Sequence, residues 1–192
     1  AAELDVGTIG GAGAHAHPGH VGRQVEPALA ARDLAGEGRL VLEQACRQMA
    51  RWRREIEGAE NLYISVNLSG LQLSSPGLID EIERVLDEAR LEPSALKLEL
   101  TESTLIDEAD LAVQMLDRLR ASGVRIYIDD FGTGYASLSY LHRFAIDGLK
   151  IDKSFVSEIT GPSPQTAIVA SIVGLAHNLG VGVVAEGVEE EA

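Results

Sequence analysis

The sequence Ile128-Asp129-Asp130-Phe131-Gly132-Thr133-Gly134-Tyr135 joins an apolar strand to two adjacent carboxylates and a glycine-rich loop. Val124, Ile126 and Ile128 alternate with other residues, as the apolar side chains of a strand do. Neighbouring carboxylates repel each other unless a cation or a proton lies between them. The glycines that follow allow the backbone to turn tightly or to approach a ligand. The stretch therefore predicts a divalent-metal site at the tip of a strand.

Four other apolar segments of strand composition also end at polar side chains. These segments cover residues 62–66, 96–98, 146–151 and 181–185. The polar residues at or near their ends are Asn67, Glu99 with Glu102, Lys150 with Asp152, and Glu186. The recurrence of polar groups at strand ends indicates one shared site rather than a single isolated loop.

Helical patterns lie between the predicted strands. Apolar residues recur at steps of three and four in residues 42–56, in 78–89 after Ser75-Pro76, in 111–119 before Gly123, and in 168–179 between Ser163-Pro164 and Gly180. Strands that alternate with helices at this spacing predict an α/β fold with a mostly parallel sheet. Ligands of such folds bind at the carboxyl ends of the strands, so the polar residues are expected to converge there.

Composition narrows the class of protein. The 192 residues suit one domain with a sizeable core, and no apolar run approaches the length of a membrane span. Cys46 is the only cysteine and is expected to be a buried structural thiol, which fits a cytoplasmic location. A formal net charge of −14 argues against broad electrostatic binding of DNA or RNA. Clustered carboxylates fit metal-dependent chemistry on an anionic phosphate instead.

Five strings occur in order, each near a strand end: SVNLSGLQL, LKLELTES, IDDFGTGYASLSYL, LKIDKSFV and VVAEGVE. Together they resemble the EAL domain, the phosphodiesterase module that hydrolyses cyclic di-GMP. The resemblance covers roughly residues 40–190. It implies a modified (β/α)₈ TIM barrel, here incomplete, with Mg²⁺ or Mn²⁺ as cofactor and pGpG as product. It also implies a homodimer within a larger sensory or GGDEF-containing protein.

The resemblance implies roles for individual residues. Asn67, Glu99 and Asp129 resemble ligands of a metal pair, and Asp130 resembles a ligand of the second metal. Lys150 resembles the group that orients the attacking water or steadies the phosphate. Three further carboxylates match the pattern: Glu186 of the metal and water network, Asp152 after the lysine, and Glu102, which supports the Asp-Phe-Gly-Thr-Gly loop. The alternative for Lys150 is a structural ion pair with Asp129 or Asp152.

The chain departs from the family pattern at both ends. The Glu-Ala-Leu signature is absent, and residues 11–14 read Gly-Ala-Gly-Ala. The codons GAG GCG CTG GTG followed by CG, read two bases late, would encode that string. One hypothesis is therefore that residues 11 to about 39 are out-of-frame translation, so that 1–39 is an aberrant or poorly ordered segment and 40–192 a partial EAL domain. The family also continues beyond VAEGVEEEA into another strand.

Three functions remain open on the sequence alone. The first is metal-dependent hydrolysis of cyclic di-GMP, with an activity that the loss of the Glu-Ala-Leu signature could impair. The second is a catalytically silent EAL-like module that binds cyclic di-GMP or a protein partner, which the missing glutamate favours. The third is an unrelated barrel enzyme that acts on another phosphate ester, and it requires the five ordered strings to be coincidental.

Overall fold

A computed structural model describes residues 34–107, 109–133, 141–157 and 163–188. Five strands hydrogen-bond in chain order: β1 (Ile64–Asn67), β2 (Leu96–Thr101), β3 (Arg125–Phe131), β4 (Gly148–Ile151) and β5 (Gly182–Ala185). Helices separate the strands along the chain. This is the predicted α/β fold, and it is consistent with part of the expected EAL-type barrel.

The described chain divides into two compact units. The first unit runs to Leu98 and includes Ala121–Arg125, and the second contains Glu99–Arg120 and the residues from Ile126 onward. None of the helices in the described part of the chain is long and apolar enough to cross a membrane.

The first unit is built on two long amphipathic helices, α1 (Leu34–Glu55) and α3 (Leu78–Ala89), with the short α2 (Gly70–Leu73) between them in sequence. Their apolar residues recur on one face and are buried, and α1 packs against α3. Cys46 lies on the buried face of α1 as a free thiol, and burial raises its pKa to about 12. The prediction of a buried thiol is confirmed.

Ion pairs cross the solvent edge of the packing between α1 and α3. Glu43 of α1 lies within 3.5 Å of Arg84 of α3 and within 2.9 Å of Arg39 on its own helix. Water and salt screen exposed pairs of this kind, so they contribute little to stability. The apolar faces of the helices therefore supply most of the stabilisation of this unit.

The second unit carries α4 (Glu102–Asp107), most of α5 (Ala109–Ala121), α6 (Lys153–Val156) and α7 (Pro164–Leu179). The predicted ends of α7 are confirmed. The Ser163 hydroxyl accepts a hydrogen bond from the Thr166 N–H at 3.2 Å, and Gly180 adopts a left-handed φ of +71°. The predicted start of α3 is two residues early, because the helix begins at Leu78 after Gly77, whose φ is +88°.

Strands β3, β4 and β5 are parallel neighbours. Asp129 and Asp130 were expected at the end of a strand, but β3 continues through them to Phe131. The register shifts between Ile128 and Phe131, and Asp130 has a left-handed φ of +52°. This irregularity resembles a β-bulge, which lets a strand present a side chain in a new direction without ending its pairing.

Candidate metal centre

A buried lysine lies among three carboxylates contributed by three different strand segments of the second unit. Lys150 on β4 places its Nζ 2.6 Å from Glu99 Oε2, 3.1 Å from Asp129 Oδ1 and 2.8 Å from Glu186 Oε1. We call these four residues the Lys150 cluster. Glu99 and Lys150 are almost fully buried. Their apolar strands β2 and β4 bring together charges that are 51 residues apart in sequence.

The charges around Lys150 hold it in its protonated form. Burial alone opposes the charge, but the carboxylates of Glu99 and Asp129 and the hydrogen bond to Glu186 outweigh it and raise the pKa of Lys150. The structure thus supports an ion pair of Lys150 with Asp129, one of the two pairs named as alternatives.

A second grouping overlaps the first and points to a metal. Carboxylate oxygens of Asp129, Asp130 and Glu186 all lie within 4.8 Å of one another. Burial, followed by the charges of Asp129, Asp152 and Glu186, raises the pKa of Asp130 to about 6. The Asp130 N–H also donates to Asp129 Oδ1 at 3.0 Å, which orients the first carboxylate. Accumulated negative charge of this kind is what a divalent cation would neutralise.

These residues fit a hard divalent metal. Mg²⁺ and Mn²⁺ prefer carboxylate oxygens, and the grouping found among the described residues consists of three such groups. Lys150 already balances part of the charge from one side of the grouping. Asp129, Asp130 and Glu186 are accordingly the residues of this unit that could hold the metal, with Glu99 joined to them through Lys150.

Asp152 has a structural contact as well as a place near the site. It is the N-cap of α6, where its Oδ1 accepts hydrogen bonds from the Ser154 N–H at 2.9 Å and from the Ser154 hydroxyl. The hydrogen bond from the Ser154 side chain is the main cause that lowers the pKa of Asp152, and Asp130 contributes another. The negative charge of Asp152 in turn helps to raise the pKa of Asp130.

Glu102 contacts the glycine-rich loop. It begins α4, is buried, and its Oε2 accepts a hydrogen bond from the Gly132 N–H at 3.1 Å. Gly132 has a φ of +101°, and a Cβ there would lie 3.1 Å from the ring of Phe155. Both features require glycine at this turn. A residue that supports the loop has to bind its backbone, and the hydrogen bond from the Gly132 N–H to Glu102 is such a contact.

Replacing Glu102 by alanine is expected to lower the free energy of unfolding by about 1–3 kcal/mol, since the Gly132 N–H loses its acceptor in a part-buried site. Glutamine keeps an acceptor oxygen, so Glu102→Gln should lose less than half as much. Urea denaturation of the two variants measures the difference. Equal losses for alanine and glutamine would show that the hydrogen bond does not anchor the loop.

Asn67 belongs to the first unit. It is the exposed last residue of β1, and it lines a cleft of about 350 Å³. The cleft has an apolar floor that includes Leu42 and Leu98, and a polar rim that includes Arg39 and Gln72. The role of Asn67 as a metal ligand stays a prediction. Residues 1–33, which include most of the segment proposed to be out of frame, lie outside the described residues, and so do 134–140 of the loop.

Sequence reasoning missed a second buried lysine. Lys97, in the middle of apolar β2, is almost fully buried, and its Nζ lies 3.4 Å from the ring centroid of Tyr63. Attraction between an ammonium and an aromatic face offsets part of the cost of burying the charge. The alternation of β2 places Lys97 on the same strand face as Glu99, and this periodicity was the only available signal.

Comparison with known proteins identifies the family of the chain. A sequence profile of the EAL domain matches residues 25–192. The chain belongs to the EAL domain family. The bifunctional diguanylate cyclase/cyclic di-GMP phosphodiesterase MucR of Pseudomonas aeruginosa is 48% identical over 156 residues, which is 81% of this chain and 22% of MucR. The cyclic di-GMP phosphodiesterase PdeR of Escherichia coli is 40% identical over 79% of this chain and 22% of PdeR.

A solved structure of an EAL protein shares the fold. The PaMucR phosphodiesterase in complex with c-di-GMP has a TM-score of 0.77 and 47% identity, over 82% of this chain and 63% of that chain. The chain spans about a fifth of the length of these two curated relatives. The family match begins at residue 25, upstream of the boundary expected at residue 40.

Proposed function

We propose that this EAL domain hydrolyses cyclic di-GMP to the linear dinucleotide pGpG with the help of divalent metal ions. The observation that carries the proposal is the convergence of Asp129, Asp130 and Glu186 beside the buried ammonium of Lys150. Named relatives in the family are phosphodiesterases of this substrate. The ordered sequence strings and the carboxylate geometry support the same reaction class.

The proposed ligands are Asn67, Glu99, Asp129 and Asp130, with Glu186 and Asp152 completing the network and Glu102 supporting the loop. Mg²⁺ or Mn²⁺, when bound as a pair, would lower the pKa of a bridging water and clamp the attacked phosphate. The protein residues fix the geometry for this. The bulge at Asp130 directs its carboxylate toward Asp129 and Glu186, while Glu102 holds the Gly132 turn that follows.

Lys150 has two proposed tasks in the same position. Its ammonium keeps Glu99, Asp129 and Glu186 within hydrogen-bonding reach of one point, which limits their movement. A fixed positive charge beside the carboxylates would also stabilise the negative charge that develops on the phosphate oxygens in the transition state. Because the ammonium is buried, its electrostatic effect is stronger than it would be in water.

A second function rests on one observation in the sequence. No Glu-Ala-Leu tripeptide occurs in the 192 residues, although it is the signature of the family. A module that lacks one ligand could still bind cyclic di-GMP or a protein partner through the remaining groups. We therefore keep a catalytically silent signalling module as the alternative. The homodimer, the accompanying sensory or GGDEF domains and the cytoplasmic location belong to the proposal as well.

One assay separates the two functions. The chain is incubated with cyclic di-GMP and Mg²⁺ or Mn²⁺, and pGpG is measured by chromatography, while binding is measured by calorimetry with Ca²⁺ in place of the other metals. The proposal predicts metal-dependent pGpG formation. Binding with no turnover in any metal would replace it by the silent module. Absence of both binding and turnover would refute cyclic di-GMP as a ligand of this chain and would leave only the form of the alternative in which the module binds a protein partner.

A further inference from the structure

A tyrosine and two glycines form one row across three neighbouring strands of the second unit. Tyr127 of β3 is paired with Gly148 of β4, and Gly148 is paired with Gly182 of β5. Side chains alternate along a strand, so Tyr127 shares a face with Asp129, and position 148 shares a face with Lys150. The row therefore lies one side-chain layer toward the amino ends of the strands from the Lys150 cluster.

The ring of Tyr127 fills the space above Gly148. A Cβ added to Gly148 would lie 2.7 Å from Cδ1 of Tyr127 and 2.8 Å from its Cζ, closer than real Cβ atoms come to other heavy atoms. A Cβ added to Gly182 would lie 3.7 Å from the tyrosine hydroxyl oxygen, which is an ordinary contact. The tyrosine side chain thus crosses β4 and reaches β5, and the missing side chain at Gly148 makes this possible.

The row of Tyr127, Gly148 and Gly182 is close to the Lys150 cluster, because Asp129 and Lys150 lie on two of the same strands and Glu186 follows the third. Asp129 follows Tyr127 by two residues, Lys150 follows Gly148 by two, and Glu186 comes directly after β5. Lysine has a flexible stem with many rotamers, so its ammonium needs a packed environment to stay in one position. Water in the layer beneath would weaken the attraction between Lys150 and the carboxylates.

We propose that Tyr127 is a positioning residue for Lys150. Its ring, resting on Gly148 and reaching Gly182, sets the spacing of the three strands and excludes water from beneath the Lys150 cluster. The catalytic consequence rests on the proposed phosphodiesterase function, whereas the effect on Lys150 does not. Because the aromatic ring rather than the hydroxyl positions Lys150, Tyr127→Phe should preserve the position of Lys150 and Tyr127→Ala should not.

The chain contains only three lysines, Lys97, Lys150 and Lys153, so their ammonium groups can be followed separately by ¹⁵N NMR. The Lys150 signal is identified by its loss in Lys150→Met. Wild type and Tyr127→Phe should show the same slow hydrogen exchange at the Lys150 ammonium. In Tyr127→Ala the exchange should be faster by about tenfold or more, because the site opens locally to water.

Leu116→Ala is the matched control for a loss of core packing. Leu116 is fully buried on α5, so its replacement creates a cavity outside the row described above. Lys150 exchange should stay at the wild-type rate in this variant under native conditions. Unchanged exchange in Tyr127→Ala, or an equal acceleration in Leu116→Ala, would overturn the proposal.

Gly148 tests the contact from the opposite side. Gly148→Ala should displace the ring and accelerate Lys150 exchange, whereas Gly174→Ala, at a helical position with nothing within 4 Å, should not. Where wild type forms pGpG, kcat of Tyr127→Ala and Gly148→Ala should fall about 10²-fold through misplacement of the site, with KM changed less than about threefold. A wild type without turnover refutes the proposed function, and the exchange rates still decide the role of Tyr127.

Discussion

Lys150→Met is expected to cost this protein about 3–5 kcal/mol of stability, since removing one partner of a buried ion pair leaves the remaining charges uncompensated. Three carboxylates contact the ammonium within 3.1 Å, and each would then face like charges in a nearly dry site. Methionine keeps the length and the apolar stem of lysine, so the change tests the charge rather than the volume. Urea denaturation monitored by circular dichroism measures the loss.

Lys153→Met is the control for this substitution. Lys153 is exposed, lies three residues further along the chain, and belongs to the short helix after β4. Its replacement should change stability by less than about 0.5 kcal/mol. Similar losses for the two methionine variants would contradict a central role for the Lys150 ammonium.

A double variant isolates the electrostatic cause. Glu99 contributes the shortest contact to Lys150, so Glu99→Gln removes one of the charges that Lys150→Met leaves unbalanced. The double variant should therefore be more stable than the sum of the two single losses predicts. Strict additivity would mean that Lys150 stabilises the unit through packing alone. Mn²⁺ should also stabilise Lys150→Met, because a bound cation would replace part of the lost charge.

The sequence was sufficient for much of the fold because the signals are local. Apolar segments of strand composition identified the strands, and the helix caps at Ser163 and Gly180 predicted both ends of α7 within the residues that the structure describes. The rule that ligands bind at the carboxyl ends of parallel strands was enough to group Glu99, Asp129, Lys150 and Glu186 before their contacts were known.

Other features depend on tertiary contacts and carry no local signal. The left-handed φ of Asp130 accompanies a register shift against β4, and a sequence cannot show where pairing slips. The burial of Lys97 depends on the ring of Tyr63, which lies 34 positions earlier in the chain. Of the three carboxylates that contact Lys150, only Asp129 was predicted as its partner in an ion pair, because the contacts with Glu99 and Glu186 depend on how the strands pack.

Asp129→Asn is expected to reduce pGpG formation by about 10²–10³-fold, which is the range found when one oxyanion-hole donor is removed from an active site. Asp129 belongs to both groupings, since it contacts Lys150 at 3.1 Å and lies with Asp130 and Glu186 within 4.8 Å. Asparagine keeps an oxygen that can accept the hydrogen bond from the Asp130 N–H, so the local backbone should persist. The loss should therefore fall on metal binding and turnover.

Two measurements distinguish this outcome from misfolding. Mn²⁺ affinity, measured by calorimetry, should weaken at least tenfold in Asp129→Asn, as expected when a carboxylate ligand loses its charge. Asp117→Asn, an exposed aspartate on α5, is the matched control and should retain the wild-type affinity and rate. If Asp129→Asn bound Mn²⁺ as tightly as wild type, the metal would not be held by the Asp129, Asp130 and Glu186 grouping. The buried charges would then serve the fold, and the catalytically silent module would become the better description of this chain.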